Sequence, residues 1–355
     1  MYETVRDLVT YERAAGIDAV VVDLKGLMEV QPLSTIRPTG KPCRRCGNVD
    51  LEALKAPEGP TPWAEDRGIA LAPPSWLESC DLIVSHSGMG NVGLGKDKPR
   101  IHVAHGRPHS SFLLGKLESN HVYRAYAEYA ADPRWKAMIT LWPGFGRYWE
   151  LVFPRPVYEV QPFVDLARWV PVKSDYKFSG QSGKPNLVVA DIWRHDRDPF
   201  HVLHAFADFA KGCPSARLHV YGLNKPDVDA LEPILGGLRR RGVLGEIMGR
   251  KEDLLEVYNA ADLMLTPHSI ATRTIRESLA CGLPVVAGRG CVYTPFRADD
   301  EDIDAYAAEI EGAWQIVSEH RDAVRATARG LAERYFQPGL AVQELMRIYE
   351  AALIG

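Results

Sequence analysis

The chain has 355 residues, six cysteines and a formal net charge of −4. That length suits two domains, and 46% apolar with 25% charged residues is the make-up of a globular protein. Charge is balanced over residues 1–160 and mildly acidic beyond, so neither half carries the positive excess of a dedicated nucleic-acid binder. No run of 18 apolar residues offers a membrane-spanning helix, so no stable membrane insertion is expected. The charged opening MYETVRDLVTYERAAG lacks the apolar core of a signal peptide, and a cytoplasmic setting is expected.

Cys43 and Cys46 form a C-x-x-C with Cys80 as a third thiol and no fourth ligand, so reduced thiols rather than zinc are expected. Glu3 to Ala15 has the spacing of a helix that Gly16 ends, and Ile17 to Leu24 reads as a buried strand. An α/β domain usually opens on a strand and a Gly loop, and neither precedes this helix. Residues 30–75 are rich in Pro and Gly, long for a loop, and expected to be functional or mobile. Asp81 to Ser85 and Arg100 to Ala104 read as strands. Each is followed by a His/Gly/Ser turn, His86 to Gly90 and His105 to Pro108. In open α/β sheets ligands sit beyond the carboxyl ends of strands.

Residues 109–153 read as helical and aromatic. Within them WPGFGRYW, Trp142 to Trp149, is interrupted by Gly144 and Gly146 and could stack an acceptor sugar or base. Trp142, Tyr148 and Arg107 are the acceptor-side candidates. Val157 to Val164 reads as a strand, and the polar stretch around residues 166–185 as a linker.

From Asn186 the alternation is regular. A strand (Asn186 to Ala190), a loop, a helix (Pro199 to Lys211) and a strand (Arg217 to Tyr221) lead to a helix near Asp227 to Arg241. A short strand at Glu246 to Met248, a helix at Asp253 to Ala260 and a strand at Asp262 to Thr266 follow. This predicts a doubly wound parallel sheet. Helices at Ala305 to Glu319, Arg321 to Tyr335 and Leu340 to Leu353 close the chain. Thr266 to Ala287, TPHSIATRTIRESLACGLPVVA, is the centre of this half. A polar loop enters a short helix, Cys281-Gly282 stops it, and a β-branched run follows. Helix N-termini suit phosphate, and Glu277, one turn inside, suits a ribose diol. Ser269, Thr272, Arg273 and Thr274 line the entry. The same pattern also fits a core helix with Gly282 as its cap.

Four ordered segments carry a family resemblance: GKPNLVVADIWRHDRDPFHVLHAF, ARLHVYG, GEIMGRKEDLLEVYNAADLMLTP and IRESLACGLPVVAG. Together they resemble the retaining glycosyltransferases of family 4, and the TPHSIATRTIRESLACG form resembles a phage-associated branch. The resemblance implies the GT-B fold: two Rossmann-like doubly wound parallel-sheet domains with a C-terminal crossover helix. It sets an acceptor-binding domain at residues 1–165, a linker at 166–185, a donor domain at 186–338 and the returning helix at 339–355. It implies transfer of a sugar from a nucleotide-diphosphate donor, UDP-sugar favoured, with no metal and no other cofactor.

Residue by residue, Glu277 matches the acid that holds the ribose, while Ser269 stands where the family has a second acid. Arg197 matches a diphosphate-gripping lysine; Ile192 stands at the arginine position, for which Arg194 or Arg273 substitutes. His105 in VAHGRP matches a histidine that bonds the donor sugar. Gly88, in Ser87-Gly88-Met89-Gly90, takes part of the role of the unrecognised opening loop. The acceptor stays open between a glycan, a lipid-linked sugar and a hydroxymethylated DNA base, which would have to be flipped out. A non-catalytic sugar-nucleotide binder and a GT-B-fold epimerase are the alternatives.

Overall fold

The computed structural model describes residues 2–19, 76–86, 97–104, 132–151, 153–178, 184–191, 200–223, 225–249, 251, 253–299 and 301–354. Gly88, His105, Arg107, Arg194 and Arg197, the C-x-x-C, and most of the expected strand at Ile17 to Leu24 lie outside these residues. Residues 17–19, which are described, are not strand. The chain divides into two compact units: Met1–Gln161 with Gly339–Gly355, and Pro162–Pro338.

The first unit holds a four-stranded parallel sheet in the order β1-β2-β3-β4, with β1 Ile83–His86, β2 Arg100–Ala104, β3 Trp135–Thr140 and β4 Val157–Glu159. Its helices are α1 (Tyr2–Ala14), α2 (Trp76–Ser79) and α3 (Gly146–Glu150). Strand β3 corrects the helical reading of residues 109–153 at Trp135–Thr140; α3 keeps it at Gly146–Glu150, and residues 109–131 lie outside the described residues. Every residue of WKAMIT except Lys136 is buried, because a strand inside a parallel sheet is covered on both faces. Such a run lacks alternation and cannot be told from a buried helix by spacing. Strand β4 also ends five residues short of the expected Val164.

Glycines in WPGFGRYW have a local cause. Glu159, at the end of β4, accepts from the Gly144 amide at 2.9 Å and the Gly146 amide at 2.6 Å. Gly144 holds a φ of +85°, and a Cβ on Gly146 would lie 2.7 Å from a Glu159 carboxylate oxygen. Trp142 and Trp149 are therefore core side chains, 8% and 1% exposed. The last helix of the chain, α9 (Pro338–Ile354), belongs mainly to this unit, and its Tyr349 donates to Glu12 of α1 at 2.7 Å.

The second unit is a six-stranded parallel sheet. Its strands are β5 Asn186–Ala190, β6 Arg217–Tyr221, β7 Leu244–Met248, β8 Leu263–Leu265, β9 Val285–Gly288 and β10 Arg297–Ala298. Its helices are α4 Phe200–Gly212, α5 Lys225–Arg240, α6 Leu255–Ala260, α7 Arg273–Ala280 and α8 Ile303–Tyr335. The order is β10-β9-β8-β5-β6-β7. Strands β5 and β8 are near-continuous apolar runs, buried throughout, as in a sheet covered on both faces. One core layer joins α4, α5 and α8 to the sheet through Phe206, Leu235 and Ile310; the other joins α6 and α7 through Tyr258 and Ile275. Two-residue β10 carries too little pattern to be read in advance. The two helices expected at Ala305 to Glu319 and Arg321 to Tyr335 are both present within α8, which kinks between them at the non-helical His320.

Candidate functional site

Helix α7 leaves the carboxyl end of β8 through the loop Thr266–Thr272. Thr272 is its N-cap, and the Thr272 hydroxyl accepts from the Ile275 amide. Thr272 also shares a 3.0 Å hydrogen bond with the Thr274 hydroxyl. The cap replaces a bond the first turn cannot make within the helix. At the far end, Gly282 takes a φ of +73° and would place a Cβ 3.0 Å from the Arg325 carbonyl oxygen. Arg329 donates to the Ala280 carbonyl at 2.8 Å, and Arg325 to the Cys281 carbonyl at 3.1 Å. Both arginines come from α8 and complement the negative end of α7. The helix is thus fixed at both ends, and residues 275–280 are all buried.

Glu277 is 3% exposed. Its carboxylate accepts from Arg273 Nε one turn earlier, and the Arg273 side chain is 32% exposed. A buried carboxylate needs such a partner, and the pair leaves an acid and a base side by side on α7. Next to them Arg276 is buried and donates to the Phe163 carbonyl, so it anchors the helix and is not an open cation. Burial first, and then Glu277, push the Cys281 thiol up to about 12; it is an inert core thiol, not a nucleophile.

The loop before α7 is pinned from behind. Tyr306 of α8, 0% exposed, accepts from the Thr266 amide at 3.1 Å, and its single proton lies between the Thr266 and Val286 carbonyls at 2.9 and 2.8 Å. His268 then turns toward β5, where its Nε2 lies 2.5 Å from Asp191 Oδ2. Ser269 packs against Gly290, whose added Cβ would sit 2.9 Å from the Ser269 Cβ.

Of the expected donor residues, the structure brings Ser269, Thr272, Arg273, Thr274 and Glu277 together on one loop and one helix end. Ser269, Arg273 and Thr274 are half-buried. Trp142 offers no open ring face, being core, whereas Tyr148 is 51% exposed. Asp191, His268 and Tyr306 are not among the site residues that the sequence predicts. The signal for Asp191 and His268 is positional: each follows a buried parallel strand. Tyr306 gives none, because it acts from a helix forty residues away. Among the described residues no group of His, Cys, Asp and Glu could hold a metal ion, and no helix is long and apolar enough to cross a membrane.

Residues 187–315 match the family model described as glycosyl transferases group 1. No curated protein matches the chain. Among solved structures the fold is similar to Anabaena HepE in complex with UDP and glucose, with a TM-score of 0.63 and 13% identity over 81% of this chain and 88% of that one. It is similar to the sucrose-phosphate synthase of Thermosynechococcus elongatus, with a TM-score of 0.58 and 15% identity over 77% and 73%. It is also similar to the pneumococcal O-GlcNAc transferase GtfA in complex with UDP and GlcNAc, with a TM-score of 0.54 and 17% identity over 79% of this chain. The chain spans 59% of that transferase's length. The fold is accordingly GT-B: two parallel-sheet α/β units and a C-terminal helix.

Proposed function

We propose that the protein is a retaining glycosyltransferase that moves a sugar from a nucleoside-diphosphate donor, UDP-sugar in preference, to an acceptor hydroxyl. The observation that carries this is Glu277: a carboxylate 3% exposed on the helix that follows β8, in the segment that matches the glycosyltransferase family model. HepE and GtfA, whose folds are similar, are solved with UDP.

On this reading the nucleotide lies over the entry of α7. Glu277 accepts from the two ribose hydroxyls, and Thr272, Arg273 and Thr274 face the diphosphate with the positive end of the helix. The leaving diphosphate gains charge as the glycosidic bond breaks, and fixed cations lower that barrier. Arg197 and Arg194 are the cations assigned to this role by the sequence, which also assigns Gly88 and His105 to the donor and Arg107 to the acceptor. In the front-face retaining route the departing phosphate oxygen takes the acceptor's proton, so no general base is required of the chain. A glycan, a lipid-linked sugar or a hydroxymethylated DNA base is the acceptor class.

A second reading, a sugar-nucleotide binder without transfer, is favoured by Ser269, which supplies no charge beside the pocket. One experiment separates them. Nucleotides are screened by thermal shift, since a ligand that binds the folded state raises its melting temperature, and donor hydrolysis is then followed with the best binder. UDP is expected to exceed UMP and NAD, and turnover is expected to vanish in Glu277→Ala. Preference for NAD would end both readings; tight UDP-sugar binding without hydrolysis or transfer would leave the second.

A further inference from the structure

The strand order of the second unit reverses between β5 and β8: β6 and β7 extend to one side of β5, and β8, β9 and β10 to the other. In open parallel sheets a ligand sits outside the carboxyl ends of the strands at such a reversal. Two side chains meet at this place. Asp191 is the first residue after β5 and His268 the third after β8. The 2.5 Å contact between Asp191 Oδ2 and His268 Nε2 makes Nε2 the donor. His268 is 4% exposed, and its Nδ1 has no hydrogen-bond partner among the described residues.

A histidine that only fills the core behaves differently in the same sheet. His219 of β6 uses both nitrogens: Nδ1 accepts from the Glu246 amide at 3.1 Å, and Nε2 pairs with Asn186 Oδ1 at 3.0 Å. A buried hydroxyl accompanies His268. The Tyr258 hydroxyl of α6 is wholly buried and has no partner among the described residues. Burial, then Glu277 and more weakly Asp191, raise its pKa. Buried polar groups without partners are rare, and the Tyr258 hydroxyl is one that feels the charges of Glu277 and Asp191.

We propose that His268, held by Asp191, contacts a hydroxyl of the transferred glycosyl group. This deepens the proposed function and rests on it. A hydroxyl both donates and accepts, so it matches Nδ1 in either state of the ring: the lone pair of the neutral imidazole or the N–H of the cation. A phosphate oxygen only accepts and matches one state. Asp191 is the positioning residue, fixing the ring and choosing its tautomer. The helix α7 side then serves the nucleoside diphosphate, and the β5–β8 side serves the sugar.

The test compares the affinity of UDP with that of a panel of UDP-sugars by calorimetry, and takes the ratio of the best sugar nucleotide to UDP. Two variants separate the ring nitrogens. His268→Gln keeps an N–H near the Nε2 position, and so the Asp191 pair, but has nothing at Nδ1. His268→Asn places its amide near Nδ1. The ratio is expected to fall about three- to tenfold in His268→Gln and to be largely restored in His268→Asn, with UDP affinity unchanged in both. Should His268→Gln not fold, His268→Asn against His268→Ala gives the same comparison. An unchanged ratio in His268→Gln overturns the sugar contact, as does equal loss of UDP and UDP-sugar affinity. So does a native protein that binds UDP but no UDP-sugar more tightly. If the native protein binds neither, it is the glycosyltransferase reading itself that falls.

Discussion

Arg273 reaches one turn along α7 and donates its Nε–H to the carboxylate of Glu277. The pair sets what a ligand finds here: an acid held by a base whose own side chain is one-third exposed. A diol that docks on Glu277 adds to an orientation that Arg273 has already fixed. Under the proposed function Glu277→Gln weakens the bonds to the ribose, each of about 1.5–3 kcal/mol for a charged acceptor. UDP affinity is expected to fall roughly tenfold or more. The diagnostic is 2′-deoxy-UDP, which the native protein should bind less well than UDP and the variant equally well. Equal binding of the two by the native protein removes Glu277 from the ribose.

His219 is boxed in, and Gly245 is the reason it fits. A Cβ on Gly245 would stand 2.4 Å from the His219 ring, which is stacked on Phe178 at 3.8 Å between centroids and hydrogen-bonded through both nitrogens. The ring cannot retreat, so Gly245→Ala is expected to cost about 1–3 kcal/mol, in the manner of an overpacked core. Gly249→Ala meets only the Leu223 carbonyl oxygen at 3.5 Å and serves as the control. Denaturant midpoints of the two variants settle it; equal midpoints refute the crowding.

Much of this unit is legible in the sequence. The strands β5, β6 and β8 announce themselves as short apolar runs, and α4 and α7 as periodic stretches closed by turn residues. The segment around Glu277 shows helix entry, acid and stop at a glance, and the structure adds the caps at both ends. Other features are hidden for physical reasons. WKAMIT is apolar without alternation, since both its faces are covered, and it falls in an aromatic region that favours a helical reading. Gly245 looks like a loop glycine until His219 is seen against it. His268 and Asp191 are 77 residues apart, and only the pairing of β5 with β8 brings them together.

Acid should loosen both units. His102 and His219 are each 0% exposed. Burial is the main cause that lowers the first, helped by His86, to about 3, and the second, despite Glu246, to about 4. The folded protein therefore keeps both rings neutral where the unfolded chain, with an ordinary value near 6.5, already binds a proton. Their contribution is complete above about pH 6.5 and is lost as pH falls through the folded values, at about 1.4 kcal/mol per pH unit for each ring. Urea unfolding at pH 7 and pH 5 is expected to show the lower stability at pH 5. Equal stability at the two pH values would contradict this.

The two aromatic residues proposed on the acceptor side should separate cleanly. Trp142 is core and Tyr148 is half open to solvent. Trp142→Ala removes a buried indole, for which about 3–5 kcal/mol is typical, whereas Tyr148→Ala should change stability by no more than about 0.5 kcal/mol. If Tyr148 is the residue that meets an acceptor ring, its variant raises the acceptor KM at unchanged stability. Thermal melts of both variants, followed by acceptor titrations of the Tyr148 variant, check the division. A stable Trp142→Ala would place that ring outside the core.

Tyr349 and Glu12 tie the chain's last helix to its first. Glu12 is 5% exposed, and burial holds its carboxyl above the usual carboxylate range even though the Tyr349 bond pulls it back. Tyr349→Phe takes away that bond and leaves a buried carboxylate short of a donor, a loss of about 1–3 kcal/mol. The sign of its pH dependence is opposite to that of the histidines. A raised carboxyl stabilises the folded state at low pH and loses that stabilisation as pH rises through its folded value. Without Tyr349 the carboxyl rises further, so the deficit of Tyr349→Phe should be small in acid, where Glu12 is protonated in both proteins, and grow toward neutral pH. Glu12→Gln, neutral at every pH, should remove this dependence. A Tyr349→Phe deficit that stays constant from pH 5 to pH 8, with no difference in the Glu12→Gln background, would show that the hydroxyl does not act through Glu12.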